Sequence, residues 1–444
     1  MATPEIEDLR RLLDRVDEEI LRLLDKRMEL CRRMGRVKRA SGTLFVTDRE
    51  RERRVIERAG PYGSIYKAII KLCKQAQAGP PGSEAWFDVY TFYERLARAR
   101  PSIRLDAGDP DIPPPEPVLE ALSKGIREPG GLSYAPSSGL LELRERIAEY
   151  HGVDVREVVV TPGSKAGLAG SLRGVGSVGV ILPGWRGYLN IATLYDAYVE
   201  TLHTDPDRGW KPSPSQLQGL ASSVEAVVVN YPNNPTGAVL SRREARELVE
   251  IARDSGALLV SDEAYRDLVY TGERVSLAEL EPEGVVSVYS FSKTFSLPGL
   301  RLGYVVGDPA VVGRVREFVA SIYTSVPVYA QRAALVALDL LDRVAEERVR
   351  VYRGRLEAAL KSIDRDVFEV VEPQGTFYLF PRMKCVEDSV EYTFKALERG
   401  VGIFPGAAFG GERYNRYIRV SLTRPVDEIL RGLEILGELA RCRS

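Results

Sequence analysis

At 444 residues, with 44% hydrophobic and 28% charged side chains, the chain has room for two or three domains and the balance of a soluble globular protein. No apolar run approaches the ~20 residues of a membrane span, and the charged start from Glu5 onward lacks a secretory pattern, so a cytoplasmic protein is expected. Two histidines, His151 and His203, argue against a histidine triad or a multi-histidine metal site, and Cys31, Cys73, Cys385 and Cys442 have neither disulfide-framework nor metal-ligand spacing, so reduced thiols and no metal are expected.

Charge is uneven along the chain. Residues 1–78 carry 19 basic and 13 acidic side chains, a net of +6, whereas the remainder carries 43 and 50, a net of −7. A basic stretch of this kind fits a solvated helical face, an anionic ligand or nucleic acid. Arginine outnumbers lysine 50 to 12 and there are five Asn and six Gln, a composition that suits a hot environment or a GC-rich genome.

In chain order, residues 5–40 read as one long amphipathic helix. Ile6, Leu9, Leu13, Val16, Ile20, Leu23, Leu24, Leu30, Met34 and Val37 recur at i, i+3/i+4. Gly42 ends it. A second helix is expected from Thr47-Asp48, with Asp48 as cap, to Ala59. Gly60-Pro61-Tyr62-Gly63 reads as a turn and Ile65–Gln77 as a third helix. Ala78-Gly79-Pro80-Pro81-Gly82-Ser83 has the composition of a linker.

Arg27 lies on the apolar stripe between Leu24 and Leu30. Lys38 is eleven residues on, about three turns with a ~20° offset. Both cations are therefore expected on one inward face, where they need an anion unless they snorkel or pair internally. Asp48, Arg51 and Glu52, at i, i+3 and i+4, share a face of the second helix.

From about residue 85, short β-branched runs alternate with helical stretches such as Arg242–Ser255. The runs are Val158–Val160, Val178–Leu182, Val227–Val229, Leu258–Val260 and Val285–Val288. Such alternation predicts a mostly parallel sheet covered on both faces, with ligands bound beyond the carboxyl ends of its strands. Asn234, Asp262 and Lys293 each follow one of these runs.

Together these residues describe a pyridoxal-phosphate (PLP) site. Lys293 in Ser290-Phe291-Ser292-Lys293 can hold the cofactor as a Schiff base and then move a proton as a base. Asp262 in Asp262-Glu263-Ala264-Tyr265 can keep a pyridine nitrogen protonated, so that the ring acts as an electron sink. Tyr265 and Asn234 can bond the phenolic oxygen. Ser290, Ser292, Arg301 and the amides of Gly163-Ser164-Lys165 at a helix start can bind phosphate. Trp185 offers a face for stacking. Singly, each has an ordinary reading: Asp262 a cap, Trp185 core, Arg301 and Arg419 surface ion pairs.

In their combined order, Asn233-Asn234-Pro235-Thr236-Gly237, Asp262–Tyr265, Ser290–Lys293 and Gly299-Leu300-Arg301-Leu302-Gly303-Tyr304 resemble the fold-type I, class I aminotransferases over roughly residues 85–440. The resemblance implies an α/β PLP-dependent transferase fold with a mostly parallel seven-stranded sheet and a smaller α/β C-terminal domain. It implies that Gly108 belongs to the loop at the substrate carboxylate, with Asn234 beside it. It implies that Arg419 grips the α-carboxylate bidentately, and that Tyr134 reaches the phosphate of a neighbouring subunit in a homodimer.

Residues 5–78 resemble the all-helical chorismate mutases in Leu9-Arg10, Arg27 with Glu29-Leu30, Gly35 with Lys38, Asp48 with Arg51-Glu52, and Gln77. Lys71 and Cys73 depart from that pattern. The resemblance implies that Arg10 (from the partner of an interlocked dimer), Arg27 and Arg51 hold the two carboxylates of chorismate. Lys38 and Gln77 would face the ether oxygen, with Asp48 at the substrate and Glu52 orienting the ring hydroxyl.

The expected organisation is an all-α three-helix mutase-like module over residues 1–78, a linker over 79–86 and an aminotransferase over 87–444. The last would have a large domain at about 110–310 and a small one built from the N-terminal arm and about 311–444. The expected function is a two-activity enzyme of phenylalanine and tyrosine synthesis acting on small molecules, without nucleic-acid or membrane partners. The alternatives are an aminotransferase whose helical head only dimerises or binds an effector, a PLP lyase with the same motifs, and a DNA-binding regulator. The long first helix with basic residues inside its apolar stripe disfavours the regulator.

Overall fold

The computed structural model describes residues 4–40, 49–78 and 89–441. Helices α1 (Pro4–Ala40), α2 (Arg49–Arg58) and α3 (Gly63–Ala78) form the N-terminal module. A 3₁₀ turn at Gly60–Tyr62 joins α2 to α3, with Gly60 at φ 54° in the left-handed region. The expected cap Asp48 and the linker 79–86 lie outside the described residues.

The apolar stripe of α1 is only partly covered within one chain. Leu24, Arg27, Met28 and Cys31 are half-buried and Gly35 is buried, one line at i, i+3/i+4 spacing. The apolar residues before them are not covered: Ile6, Leu9, Leu13, Val16 and Ile20 are 43–62% exposed. The reason is length. A helix of 37 residues is about 55 Å long, whereas α2 and α3, of 10 and 16 residues, span about 15 and 24 Å. Two short helices cannot cover the whole stripe.

The rest of the chain is organised by seven strands: β1 (Val158–Thr161), β2 (Ser177–Leu182), β3 (Tyr198–His203), β4 (Ala226–Asn230), β5 (Leu258–Asp262), β6 (Val285–Ser290) and β7 (Gly303–Gly307). Their order is β1-β7-β6-β5-β4-β2-β3, with β7 antiparallel to both neighbours and the other pairs parallel. Successive side chains of a strand point to opposite faces, and both faces here are buried. Val159 joins the core on one side with Leu168, Val178 and Leu248, while Val158 and Val160 join the other with Leu143 and Ile147. That is why β1, β2 and β4 read as continuous apolar runs.

A separate small layer pairs Tyr378–Leu379 and Phe404–Pro405 with Ile418–Ser421, setting Arg419 opposite Phe404. Its core includes Tyr352, Phe377, Ile418 and Leu433. Cys385 is disulfide-bonded, while Cys31 and Cys73 are free. The expectation of reduced thiols is thus wrong for Cys385, because spacing along the sequence does not determine which thiols meet in the fold. Among the described residues no helix is long and apolar enough to cross a membrane.

The helix Ser164–Leu172 presses on the sheet through glycine. A Cβ at Gly167 would lie 2.8 Å from Val305 Cγ2 and 2.9 Å from Val288 Cγ1. Both neighbours are β-branched and stiff. Gly167→Ala is therefore expected to lower stability by about 1–3 kcal/mol through overpacking and to lower Tm. An unchanged Tm would show that the sheet yields freely there.

Candidate active sites

One cleft, partly open to solvent, gathers most of the residues singled out for the cofactor. Gly108, Ser164, Lys165, Trp185, Asn234, Asp262, Tyr265, Ser290, Ser292, Lys293, Arg301 and Arg419 all line it, at the carboxyl ends of β4, β5 and β6.

Asp262 ends β5 and is buried. Its Oδ2 accepts from the Tyr188 hydroxyl at 2.7 Å, and its Oδ1 accepts from the Ala264 amide at 3.1 Å. Burial raises its pKa, and the Tyr188 bond, the Ala264 amide and the Lys293 charge act against that rise. An acid so placed is completed by a cationic donor in the cleft.

Lys293 lies in the helical turn Phe291–Thr294 that directly follows β6. Its Nζ donates to the Gly108 carbonyl at 2.8 Å and sits 5.8 Å from the centre of the Tyr265 ring. The turn is anchored on both sides. The Ser290 hydroxyl accepts from the Ser292 amide at 3.1 Å, and the Thr294 hydroxyl donates to Asp267 at 2.9 Å. Arg348, almost fully buried, donates to the Thr294 carbonyl at 3.3 Å.

The Tyr265 and Tyr378 hydroxyls are 3.0 Å apart. Burial, and then the neighbouring Tyr378, push the Tyr265 phenol well above its ordinary range, so it stays a neutral donor. At one end of the cleft, Arg301 adopts φ 51° and packs on Gly163, where a Cβ would come within 2.5 Å of Arg301 Nη2. Only glycine lets the guanidinium approach the start of the helix Ser164–Leu172. Lys165 Nζ lies 5.4 Å over the Trp185 ring, which meets Tyr188 edge-on at 5.3 Å.

Arg419 closes the other end and is buried. It donates to Asn234 Oδ1 at 3.0 Å and to the Asp106 carbonyl at 2.7 Å, and its Nε has no partner among the described residues. Its guanidinium carbon stands 4.3, 5.0 and 5.1 Å from the ring centres of Tyr378, Phe404 and Phe409. Asn234 is itself oriented, since its amide donates to Asn230 Oδ1 at 2.8 Å.

An acid for a ring nitrogen, an amine on a rigid turn, phenol and amide donors, and a cationic glycine-lined end form a chemical set that fits PLP. Tyr134 is not part of this cleft and is 86% exposed. Sequence reading had no role for Tyr188, Tyr378, Tyr93, Phe404 or Phe409, all of which line the cleft. Tyr188, three residues after Trp185 at a helix start, carried a usable signal. The others come from the small layer and from a helix far off in sequence.

In the N-terminal module, Arg27 faces α3. Its guanidinium carbon is 6.0 Å from the Tyr66 ring centre, and its buried Nε has no partner among the described residues. Arg27 and Arg51 both act on the Cys31 thiol, which burial, and then a hydrogen bond with Cys73, push up to about 12. Glu52 is paired with the buried Lys74 at 2.9 Å, a partner that the sequence reading did not foresee. Arg10 is exposed. The Lys38 and Gln77 side chains, and all of Asp48, lie outside the described residues.

Residues 9–78 match the chorismate mutase type II family, and residues 100–436 match the aminotransferase class I and II family. An aspartate aminotransferase of Thermococcus kodakarensis is 39% identical, over 80% of this chain and 93% of its own length. The aspartate/prephenate aminotransferase of Thermus thermophilus is 32% identical over 75% and 89%. A solved Thermus thermophilus aspartate aminotransferase with maleate superimposes with TM-score 0.73 at 29% identity, covering 82% of this chain and 98% of that one. The chain belongs to the class I and II aminotransferases, a PLP-dependent family, and carries a chorismate mutase type II domain ahead of the aminotransferase.

Proposed function

We propose a bifunctional cytoplasmic enzyme of phenylalanine and tyrosine synthesis. Its residues 1–78 rearrange chorismate to prephenate, and residues 87–444 transfer an amino group to prephenate or an aryl 2-oxo acid. The observation that carries the second activity is the convergence of Asp262, Lys293 and Arg419 in one cleft. We further propose a homodimer, in which the uncovered apolar stripe of α1 meets its copy and the exposed Tyr134 reaches the neighbouring cleft.

PLP bound in the cleft supplies an electrophilic carbon and an electron sink for charge developing at the substrate Cα. Asp262 holds the proton on the ring nitrogen, and Tyr188 holds Asp262. Tyr265 and Asn234 donate to the phenolic oxygen, while Arg301, Ser290, Ser292 and the amides of Gly163–Lys165 take the phosphate. Arg419 grips the α-carboxylate, with Gly108 closing over it. Lys293, released from the Gly108 carbonyl, carries the proton to and from Cα.

In the mutase, no nucleophile is required. Arg27 and Arg51, with Arg10 of a second copy, fix the two carboxylates in a compact conformer, and Lys38 and Gln77 stabilise charge on the ether oxygen. The buried Arg27 Nε, without a partner among the described residues, supports an anion at that place.

Prephenate is favoured as the amino acceptor because it carries a second carboxylate and a ring. The cleft offers Lys165 and Arg186 for the one, and Tyr93, Phe404 and Phe409 for the other.

With glutamate or aspartate as donor, arogenate is expected to form at least about tenfold more efficiently than phenylalanine or tyrosine, the scale of one extra charge-assisted contact. Lys165→Ala is expected to remove that preference without equal loss on phenylpyruvate. Equal or better kcat/KM on aryl pyruvates would instead make this an enzyme of the first and last steps. Arg27→Ala and Lys38→Ala are each expected to abolish mutase turnover and leave transamination unchanged. Retained mutase turnover in both would reduce the helical module to dimerisation or effector binding.

A further inference from the structure

The contact between the helical module and the aminotransferase sheet passes through a mutase residue. Glu52 on α2 is paired with Lys74 on α3 at 2.9 Å, and the Lys74 side chain is 8% exposed against 23% for Glu52. Lys74 Nζ lies 5.5 Å from the ring centre of Tyr198, the first residue of β3 in the aminotransferase. Tyr198 is itself buried, and its hydroxyl donates to Glu200 Oε2 at 2.8 Å. A second ion pair, Lys71 with Asp196 at 3.4 Å, ties α3 to the residues just before β3.

A buried ammonium needs an anion, and Glu52 supplies it. The ring face of Tyr198 adds an attraction for the same cation and shields it from water. A carboxylate has more than one acceptor position, so an oxygen held by Lys74 leaves Glu52 able to accept from a substrate hydroxyl. A pair held by two chain segments fixes the Glu52 rotamer better than a solvated side chain would.

We infer that Lys74 is a positioning residue of the mutase, and that Tyr198 of the aminotransferase completes it, so the mutase site is built partly by the other domain. The inference rests on the proposed role of Glu52 at the ring hydroxyl.

The test uses the full PLP-loaded chain. Lys74→Met is expected to raise the KM for chorismate about tenfold, the scale of a lost charge-assisted hydrogen bond, with a smaller effect on kcat. Lys74→Arg restores most of the loss. Tyr198→Leu shifts KM in the same direction, whereas Tyr198→Phe, which keeps the ring, does not. Transamination stays within twofold of wild type in all four variants.

An unchanged chorismate KM in Lys74→Met or in Tyr198→Leu would overturn the inference. So would a parallel loss of both activities that Lys74→Arg fails to rescue, since that marks a packing role. Arg27→Ala, run alongside, separates this from the mutase assignment. If Arg27→Ala keeps wild-type mutase activity, the assigned site is wrong. If it is inactive while Lys74→Met is unaffected, only the inference falls.

Discussion

Burying the Asp262 carboxylate at the end of a parallel strand is the constraint around which the aminotransferase half is arranged. A buried acid costs several kcal/mol unless donors meet it, and the Tyr188 hydroxyl and the Ala264 amide provide them. Register puts Asn230 beside Asp262, and Asn230 donates its side-chain amide to the Asp262 carbonyl at 2.8 Å. The same Asn230 then orients Asn234, which in turn receives Arg419. The strand end that carries Asp262, the two asparagines and Arg419 are thus links of one hydrogen-bonded chain rather than separate features.

The helical module obeys a different constraint. With most of α1 uncovered, the core that the module builds within one chain is small. Its best-buried side chains, Ile70, Cys73 and Lys74, all lie on α3. Of these, Cys73 meets Cys31 of α1, while Lys74 also meets the larger domain at Tyr198.

The cofactor end of the cleft was legible in the sequence because its residues come in short local runs, each at the end of a β-branched strand. The strands themselves were less evenly legible. β3, Tyr198-Val199-Glu200-Thr201-Leu202-His203, escaped notice because an edge strand is polar on its exposed side. β7 was hidden inside the Gly299–Tyr304 motif, and its antiparallel direction could not be read from a pattern of alternating strands and helices. Tyr378 and Phe404 reach Arg419 only through cross-strand register in the small layer, which no local periodicity encodes. The Glu52–Lys74 pair and the exposed length of α1 were also illegible, since both depend on how helices of unequal length pack.

The uncovered stripe of α1 bears on symmetry. Under the proposed dimerisation, Tyr134 on the aminotransferase and the stripe on α1 would be two separate self-association surfaces on one chain, joined by the contacts of α3 with β3. An isologous pair has a single two-fold axis. Both surfaces close within one dimer only if they share that axis. If the axes differ, each chain meets two different copies, and the assembly must either close as a larger dihedral particle or extend without end. The angle at which α3 sits on β3 is therefore a determinant of assembly size as well as of local packing.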